Sequence, residues 1–245
     1  MARRGGSRAC DYCVTALSGI RRLMKAISLL FAAIVLAGGP TLVRPAVGQP
    51  VLVELFASQN CRACPKAHET LRAVEADGAN VLILTWSVDY WDYLGDADPM
   101  AMEESVERQR AYVEKFRLRG PYTPQTVYNG VVQCPGNRPR AVTRNLGKAS
   151  DVVLPRASIT AVGGALVVEG EAGAAGAVTL VEYLPDSAHG TRMRNPVVRH
   201  ALLGSFDGAR LELAVPSCAH RCAVLLEMAD RAVPAVLDLA GATAP

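Results

Sequence analysis

PVLVELFASQNCRACPKAHETLRAVEADG, residues 50–78, reads as a strand, a cysteine pair and a helix in immediate succession. Residues 50–58 are a nearly continuous apolar run, as expected of a strand buried on both faces. Ala63, Ala67, Leu71 and Val74 then recur at helical spacing, and Gly78 supplies a stop. Between them stand Cys61 and Cys64, with Pro65 directly after. A C-x-x-C pair can be a redox centre, half of a metal site or a structural disulfide. Delivery to a helix N-terminus favours the first, because the helix dipole and first-turn N–H groups stabilise a thiolate on Cys61. Arg62 and Lys66 add positive charge. Cys64, one turn further in, is placed to resolve a mixed disulfide.

The compartment bears on this choice. Arg21 to Gly48 reads as an export signal: a basic start (Arg21, Arg22, Lys25), an apolar run from Ala26 to Gly39, and the small-residue site Ala46-Val47-Gly48. Met24 opens a compact signal of its own and is a second candidate start. Cleavage removes Cys10 and Cys13 and leaves Cys61, Cys64, Cys134, Cys218 and Cys222, an odd number, in an oxidising compartment. No stable membrane span is expected afterwards. Of 26 basic and 23 acidic residues, seven basic and one acidic fall within residues 1–48. The remaining 19 basic and 22 acidic residues give no general electrostatic reason to bind nucleic acid.

Further along, residues 80–91 read as a second buried strand. Asp98-Pro99 signals a helix through about Leu118, with Met102, Val106, Val113 and Phe116 on one face. The charged side Glu103, Glu104, Glu107, Arg108 and Arg110 is expected to face solvent. Asn129-Gly130 between apolar runs signals a hairpin, which on a two-residue turn sets Gln125 opposite Cys134. A helix from Pro139 to Lys148 follows. Residues 49–150 are thus expected to form an α/β domain, a mixed sheet with helices on both faces. Residues 151–245 carry short apolar runs broken by Gly, Pro and Asp. They predict a β-rich region, mostly antiparallel and sandwich-like.

The order of elements over 50–150 is similar to that of the thioredoxin fold. Thr123-Pro124 resembles the cis-proline loop of that superfamily, which docks substrate backbone opposite the cysteines. Glu54 resembles the acid behind them, which implies proton transfer with Cys64. VELFASQNCRACPKA, SVDYWDYLGDADPMA, RQRAY and LRGPYTPQTVYNG together resemble the secreted thioredoxin-like family catalogued as domain-of-unknown-function family 1223. The family brings no established substrate. His68 stands where it usually has a small acidic residue, and Asp96 where it usually has an aromatic one.

The resulting expectation is an exported thiol–disulfide oxidoreductase acting on protein or small thiol and disulfide partners. Cys61, Cys64, Thr123, Pro124 and Glu54 are its site residues, and Tyr90, Trp91 and Tyr93 form either a substrate-contacting rim or a packed cover over the sheet edge. The alternatives are copper handling by Cys61, Cys64 and His68 at helical spacing, and a binding module stapled by the pair. Cys218 and Cys222 are expected to form a short disulfide; with His220 they also offer metal ligands. Cys134 is either a packing residue or an auxiliary thiol. His189 and His200 read as isolated. No Gly-rich phosphate loop or Ser/His/Asp order is present, and no cofactor is expected.

Overall fold

The computed structural model describes residues 48–188 and 190–239. The expected export segment up to Val47, Cys10, Cys13 and His189 lie outside the described residues. The described residues form a mixed α/β structure with three sheets.

The first sheet has the order β2-β1-β3-β4. It comprises β1 (Val51–Ala57), β2 (Val81–Ser87), β3 (Gln125–Tyr128) and β4 (Val132–Pro135). β1 and β2 run parallel, and β3 returns antiparallel to β1. Helix α1 (Cys64–Ala76) makes the crossover between the parallel pair. It ends at Gly78, whose φ of 83° suits a residue without Cβ. α2 (Glu103–Lys115) and α3 (Pro139–Asp151) complete this part.

β1 is buried on both faces, and its alternation separates two cores. Leu52 and Phe56 join Leu84, Trp86 and Tyr112 of α2 on one side. Val53, Leu55 and Ala57 join Cys61, Cys64, Leu71 and Val142, from α1 and α3, on the other.

Residues 157–238 supply seven strands: β5 (Ala157–Val162), β6 (Ala165–Gly170), β7 (Gly176–Tyr183), β8 (Val197–Phe206), β9 (Arg210–Ala214), β10 (Arg221–Met228) and β11 (Ala235–Asp238). They form an antiparallel sheet β11-β10-β7-β8 and a three-stranded sheet β5-β6-β9. Strand alternation again assigns the faces. Val178, Leu180, Val224 and Leu226 pack with Ile159, Leu166 and Val168 of the three-stranded sheet. Val181, Tyr183, Ala223 and Leu225 pack with Leu52 and Trp86 of the first sheet. The β7–β10 sheet is therefore covered on both faces.

Three local expectations are corrected. Asp98-Pro99 does not open a helix: α2 begins at Glu103, and Asp98 is drawn into the core by tertiary partners. Arg108 is not solvated. Glu103, Glu104, Glu107 and Arg110 are exposed, but Arg108 is 3% exposed and faces the core with Ser105, Gln109 and Tyr112. The hairpin register also shifts by one, so Thr126 faces Cys134 and Gln125 faces Pro135. Asn129 (φ 44°) and Gly130 (φ 67°) do form the tight turn. However, Asn129 also stays bound to β1, donating its N–H to Leu52 O and accepting Leu52 N–H on its side chain. Val131 becomes an extra residue and Tyr128 pairs with Val132.

Candidate functional site

β1 ends at Ala57, and a tight loop carries the chain into α1. The Asn60 N–H bonds the Ser58 hydroxyl at 3.2 Å, and the Cys61 N–H bonds the Ser58 carbonyl at 3.2 Å. Cys61 and Cys64 are joined as a disulfide with Cα atoms 5.4 Å apart. α1 starts with no side-chain cap, with Pro65 in its first turn and no acidic residue there. The positive end of the helix thus meets no local carboxylate that would compete with a thiolate. Cys61 is 4% exposed and Cys64 1%.

The cysteine loop is tied down by Asp98, a role that local sequence does not reveal. One carboxylate oxygen of this buried residue accepts the Gln59 N–H at 2.8 Å and the Ser87 hydroxyl at 2.7 Å. Asp92 reinforces the tie, accepting Asn60 Nδ2 at 3.3 Å and Asp98 N–H at 3.1 Å. The segment after β2 is therefore the scaffold of the loop that carries Cys61.

The aromatics of that segment divide by exposure. Trp91 packs half-buried against the layer that holds both cysteines, and its indole N–H bonds the Thr123 hydroxyl at 2.7 Å. Tyr93 stacks on Trp91 at 6.1 Å and is 75% exposed. Tyr90 donates to Gln109 at 3.1 Å; burial, the dominant cause, pushes its hydroxyl up to about 12 despite that bond. The Thr123–Pro124 peptide is cis. Because Phe56 pairs with Gln125, Pro124 stands level with Ala57, at the sheet end from which the cysteine loop departs. Cys61, Cys64, Trp91, Thr123 and Pro124 are thus gathered at one end of the sheet.

Glu54 is not part of that group. It projects from β1 with Leu52 and Phe56, while the cysteines pack with Val53, Leu55 and Ala57. Proton transfer with Cys64, implied by the resemblance, has no path across the sheet. The Glu54 carboxylate instead accepts Arg108 Nε and the Tyr112 hydroxyl. Arg108 also donates to Glu227 of β10 at 3.0 Å and lies 4.7 Å over the Trp86 ring. Burial alone would lower the Arg108 pKa, but Glu54 and Glu227 outweigh it and hold the guanidinium well above its usual range. Burial would likewise raise Glu227; Arg108 and His200 hold it well below the carboxylate range instead. His200, 3.8 Å from Glu227 and edge-on to Trp86, belongs to this network rather than standing alone.

His68 is buried on α1, and its Nδ1 accepts the Arg194 N–H at 3.2 Å. Among the described residues no group of three or more His, Cys, Asp or Glu side chains is set to hold a metal. Copper handling by Cys61, Cys64 and His68 gains no support, and neither does a metal site at Cys218, His220 and Cys222. Cys218 and Cys222 are joined as a disulfide at the start of β10. Cys134 is a buried free thiol, 3.4 Å from both the Thr126 and the Tyr128 hydroxyls.

A cavity of about 330 Å³ opens beside the disulfide, lined by Ser58, Gln59, Cys64, Pro65, His68 and residues 190–193. Neither it nor the ion pairs that frame it were visible in the sequence, since its two walls are separated by over a hundred residues. Among the described residues, no helix is long and apolar enough to cross a membrane.

A crystal structure of a protein from Agrobacterium tumefaciens is similar, with 28% sequence identity and a TM-score of 0.63, covering 76% of this chain and 92% of that one. HBP35 of Porphyromonas gingivalis is more distant, at 13% identity and a TM-score of 0.49 over 77% of this chain and 74% of that one. No curated protein matches. Residues 52–184, more than half of the chain, match the profile of a family described as proteins of unknown function. The chain belongs to that family, domain-of-unknown-function family 1223.

Proposed function

We propose that this is an exported thiol–disulfide oxidoreductase on a thioredoxin-like domain, with Cys61 as its exchanging sulfur. The observation that carries the reading is the position of the disulfide: it sits at an uncapped helix N-terminus without an acidic residue in the first turn. There the helix end favours a thiolate on the first cysteine. The gathering of Trp91, Thr123 and Pro124 at the same sheet end supplies a place for a partner chain.

A partner thiolate attacks Cys61 Sγ. The Cys61–Cys64 bond breaks, and its electron pair leaves on Cys64, which takes up a proton. A second partner thiolate then attacks the partner sulfur of the mixed disulfide. The partner leaves oxidised, and Cys61 departs as the thiolate. In the reverse direction the same steps reduce a partner disulfide. Trp91, packed against the cysteine layer, and Tyr93, stacked on it, border the approach to this site, whereas Tyr90 packs into the other core.

The experiment is thiol exchange by the exported chain, from residue 49 onward, with cysteine variants. Cys61→Ser abolishes reaction with protein thiols, whereas Cys64→Ser accumulates mixed disulfides at Cys61. Unchanged exchange in both variants leaves the pair a structural staple.

A further inference from the structure

The cavity beside the disulfide is lined by Cys64 and not by Cys61. One wall is α1, through Cys64, Pro65 and His68. The other is the segment 190–193, which is bolted to the same helix. Arg72 donates to the Arg192 carbonyl at 3.0 Å and pairs with Asp186 at 3.3 Å. Arg194 grips Glu75 through two bonds of 2.7 and 2.9 Å, and its N–H reaches His68. Three successive turns of α1 thus hold this wall in place, which makes the cavity a built feature.

Its contents indicate what it takes. At about 330 Å³ it lies at the small end of ligand pockets and suits a molecule between an amino acid and a short peptide in size. The lining contains the cation Arg192, the polar side chains of Ser58, Gln59, His68 and Thr191, and no carboxylate. Arg192 is both a lining residue and exposed, so it can meet an incoming anion.

We propose that this cavity admits a low-molecular-weight thiol or disulfide carrying a carboxylate to Cys64, so that the pair exchanges with macromolecular partners at Cys61 and with small thiols at Cys64. This rests on the exchange reading given above. In the reducing direction, a small thiolate RS⁻ attacks Cys64 Sγ, the Cys61–Cys64 bond breaks, and the electron pair leaves on Cys61. A second RS⁻ attacks the small-molecule sulfur of the mixed disulfide. RSSR departs, Cys64 leaves as thiolate, and the two protons of the two thiols end on the two cysteines.

The test compares the oxidised exported chain reacting with glutathione, 2-mercaptoethanol and cysteamine, each rate corrected for its thiolate fraction. Glutathione is expected to react fastest. Arg192→Glu slows it about tenfold, as reversal of one exposed charge implies, and leaves 2-mercaptoethanol unchanged. Arg192→Lys retains most of the preference. Oxidised glutathione added to reduced Cys61→Ser protein labels Cys64, found by peptide mapping, and Arg192→Glu slows this labelling too. If dithiothreitol fails to reduce the pair at all, the exchange reading falls and this inference with it. If dithiothreitol reduces it but Arg192→Glu slows all three thiols equally, or Cys64 stays unlabelled, the cavity assignment alone is overturned.

Discussion

Glu54 and Cys64 lie on opposite faces of one sheet: the carboxylate is bound to Arg108 and Tyr112 in one core, and the sulfur is packed with Val53 and Leu55 in the other. Glu54→Gln should therefore leave the pH dependence of Cys61 alkylation where it was. It should still cost stability, roughly 3–5 kcal/mol, because it breaks a buried pair and leaves Arg108 under-compensated. Alkylation kinetics and urea unfolding on the same protein separate the two effects. A shifted alkylation profile at unchanged stability would restore a role for Glu54 in the thiol chemistry.

Arg108 joins the first sheet, through Glu54, to the β7–β10 sheet, through Glu227. Arg108→Met takes the shared cation from two buried carboxylates, leaving Glu54 the Tyr112 hydroxyl and Glu227 the Thr179 hydroxyl, Arg231 and His200, and should cost roughly 3–5 kcal/mol at neutral pH. The sign with pH follows from linkage. In the wild type the folded-state pKa of Glu227 is depressed, so its contribution is full above the ordinary carboxylate range and fades as pH falls toward its folded value. In the variant Glu227 loses Arg108, the largest of the causes that lower it, and keeps only His200 among them, so its acid-labile contribution shrinks. The gap between the two proteins should narrow from pH 7 to pH 4 in chemical unfolding. A gap that is constant with pH would remove the electrostatic account.

Asp98 accepts the Gln59 N–H and the Ser87 hydroxyl, and so fixes the loop that enters the disulfide. Asp98→Ala removes the acceptor of the part-buried Gln59 N–H and leaves the Ser87 hydroxyl only the Ala57 carbonyl, and should cost about 1–3 kcal/mol. It should also change the equilibrium between the Cys61–Cys64 disulfide and glutathione, because a loosened loop no longer holds the two sulfurs in one arrangement. A stability loss with an unchanged exchange equilibrium would make Asp98 purely structural.

What sequence reveals here is local. The strand over 51–57 and the helix from the cysteines to Gly78 carry their own period or stop signal, and the later β-rich region shows as short apolar runs broken by Gly, Pro and Asp, one of which, 157–170, holds both β5 and β6. Glu54 and Arg108 show the limit. Glu54 is a lone charge in an apolar strand and Arg108 one charge among several on its helix; what buries them is their pairing with each other across 54 positions and that of Arg108 with Glu227 across 119. Asp98 looked like a helix cap because Asp-Pro is a local signal; partners at 59 and 87 prevailed. The hairpin turn was legible in Asn129-Gly130, but its register was set by the bonds of Asn129 to Leu52 on a third strand.

Tyr93, stacked on Trp91 and three-quarters exposed, offers an aromatic face beside the site. Tyr93→Ala should raise KM for an unfolded protein substrate several-fold, with reaction toward 2-mercaptoethanol unchanged. Folding stability should move by less than about 0.5 kcal/mol, since little of the ring is buried. Equal slowing of both substrates would place the effect on the disulfide itself.

Cys134 is the free thiol among the described residues, and its surroundings argue against a relay. Thr126 stands between it and Leu55 of β1 in the ladder, so the cysteine lies two strands away and level with a residue inside the strand, not with the loop that bears Cys61. Its sulfur is engaged by two hydroxyls, and the Thr126 hydroxyl also binds the Cys134 carbonyl at 2.8 Å. Burial above all pushes the Tyr128 hydroxyl well above its ordinary range, so it stays protonated and donates to the Thr126 hydroxyl at 2.9 Å. To reach Cys61, Cys134 would have to leave this packing and expose a strand that is hydrogen-bonded along its length. Mild oxidation of Cys64→Ala protein should accordingly give Cys61 adducts with small molecules or partners and no Cys61–Cys134 link on peptide mapping. Cys134→Ala should cost roughly 1 kcal/mol, from the small cavity it leaves, because the Thr126 and Tyr128 hydroxyls keep their bonds to the residue 134 carbonyl and to each other, and should leave exchange rates unchanged. A Cys61–Cys134 link forming faster than global unfolding would show that the β3–β4 hairpin opens locally, and would make Cys134 a working part of the redox site.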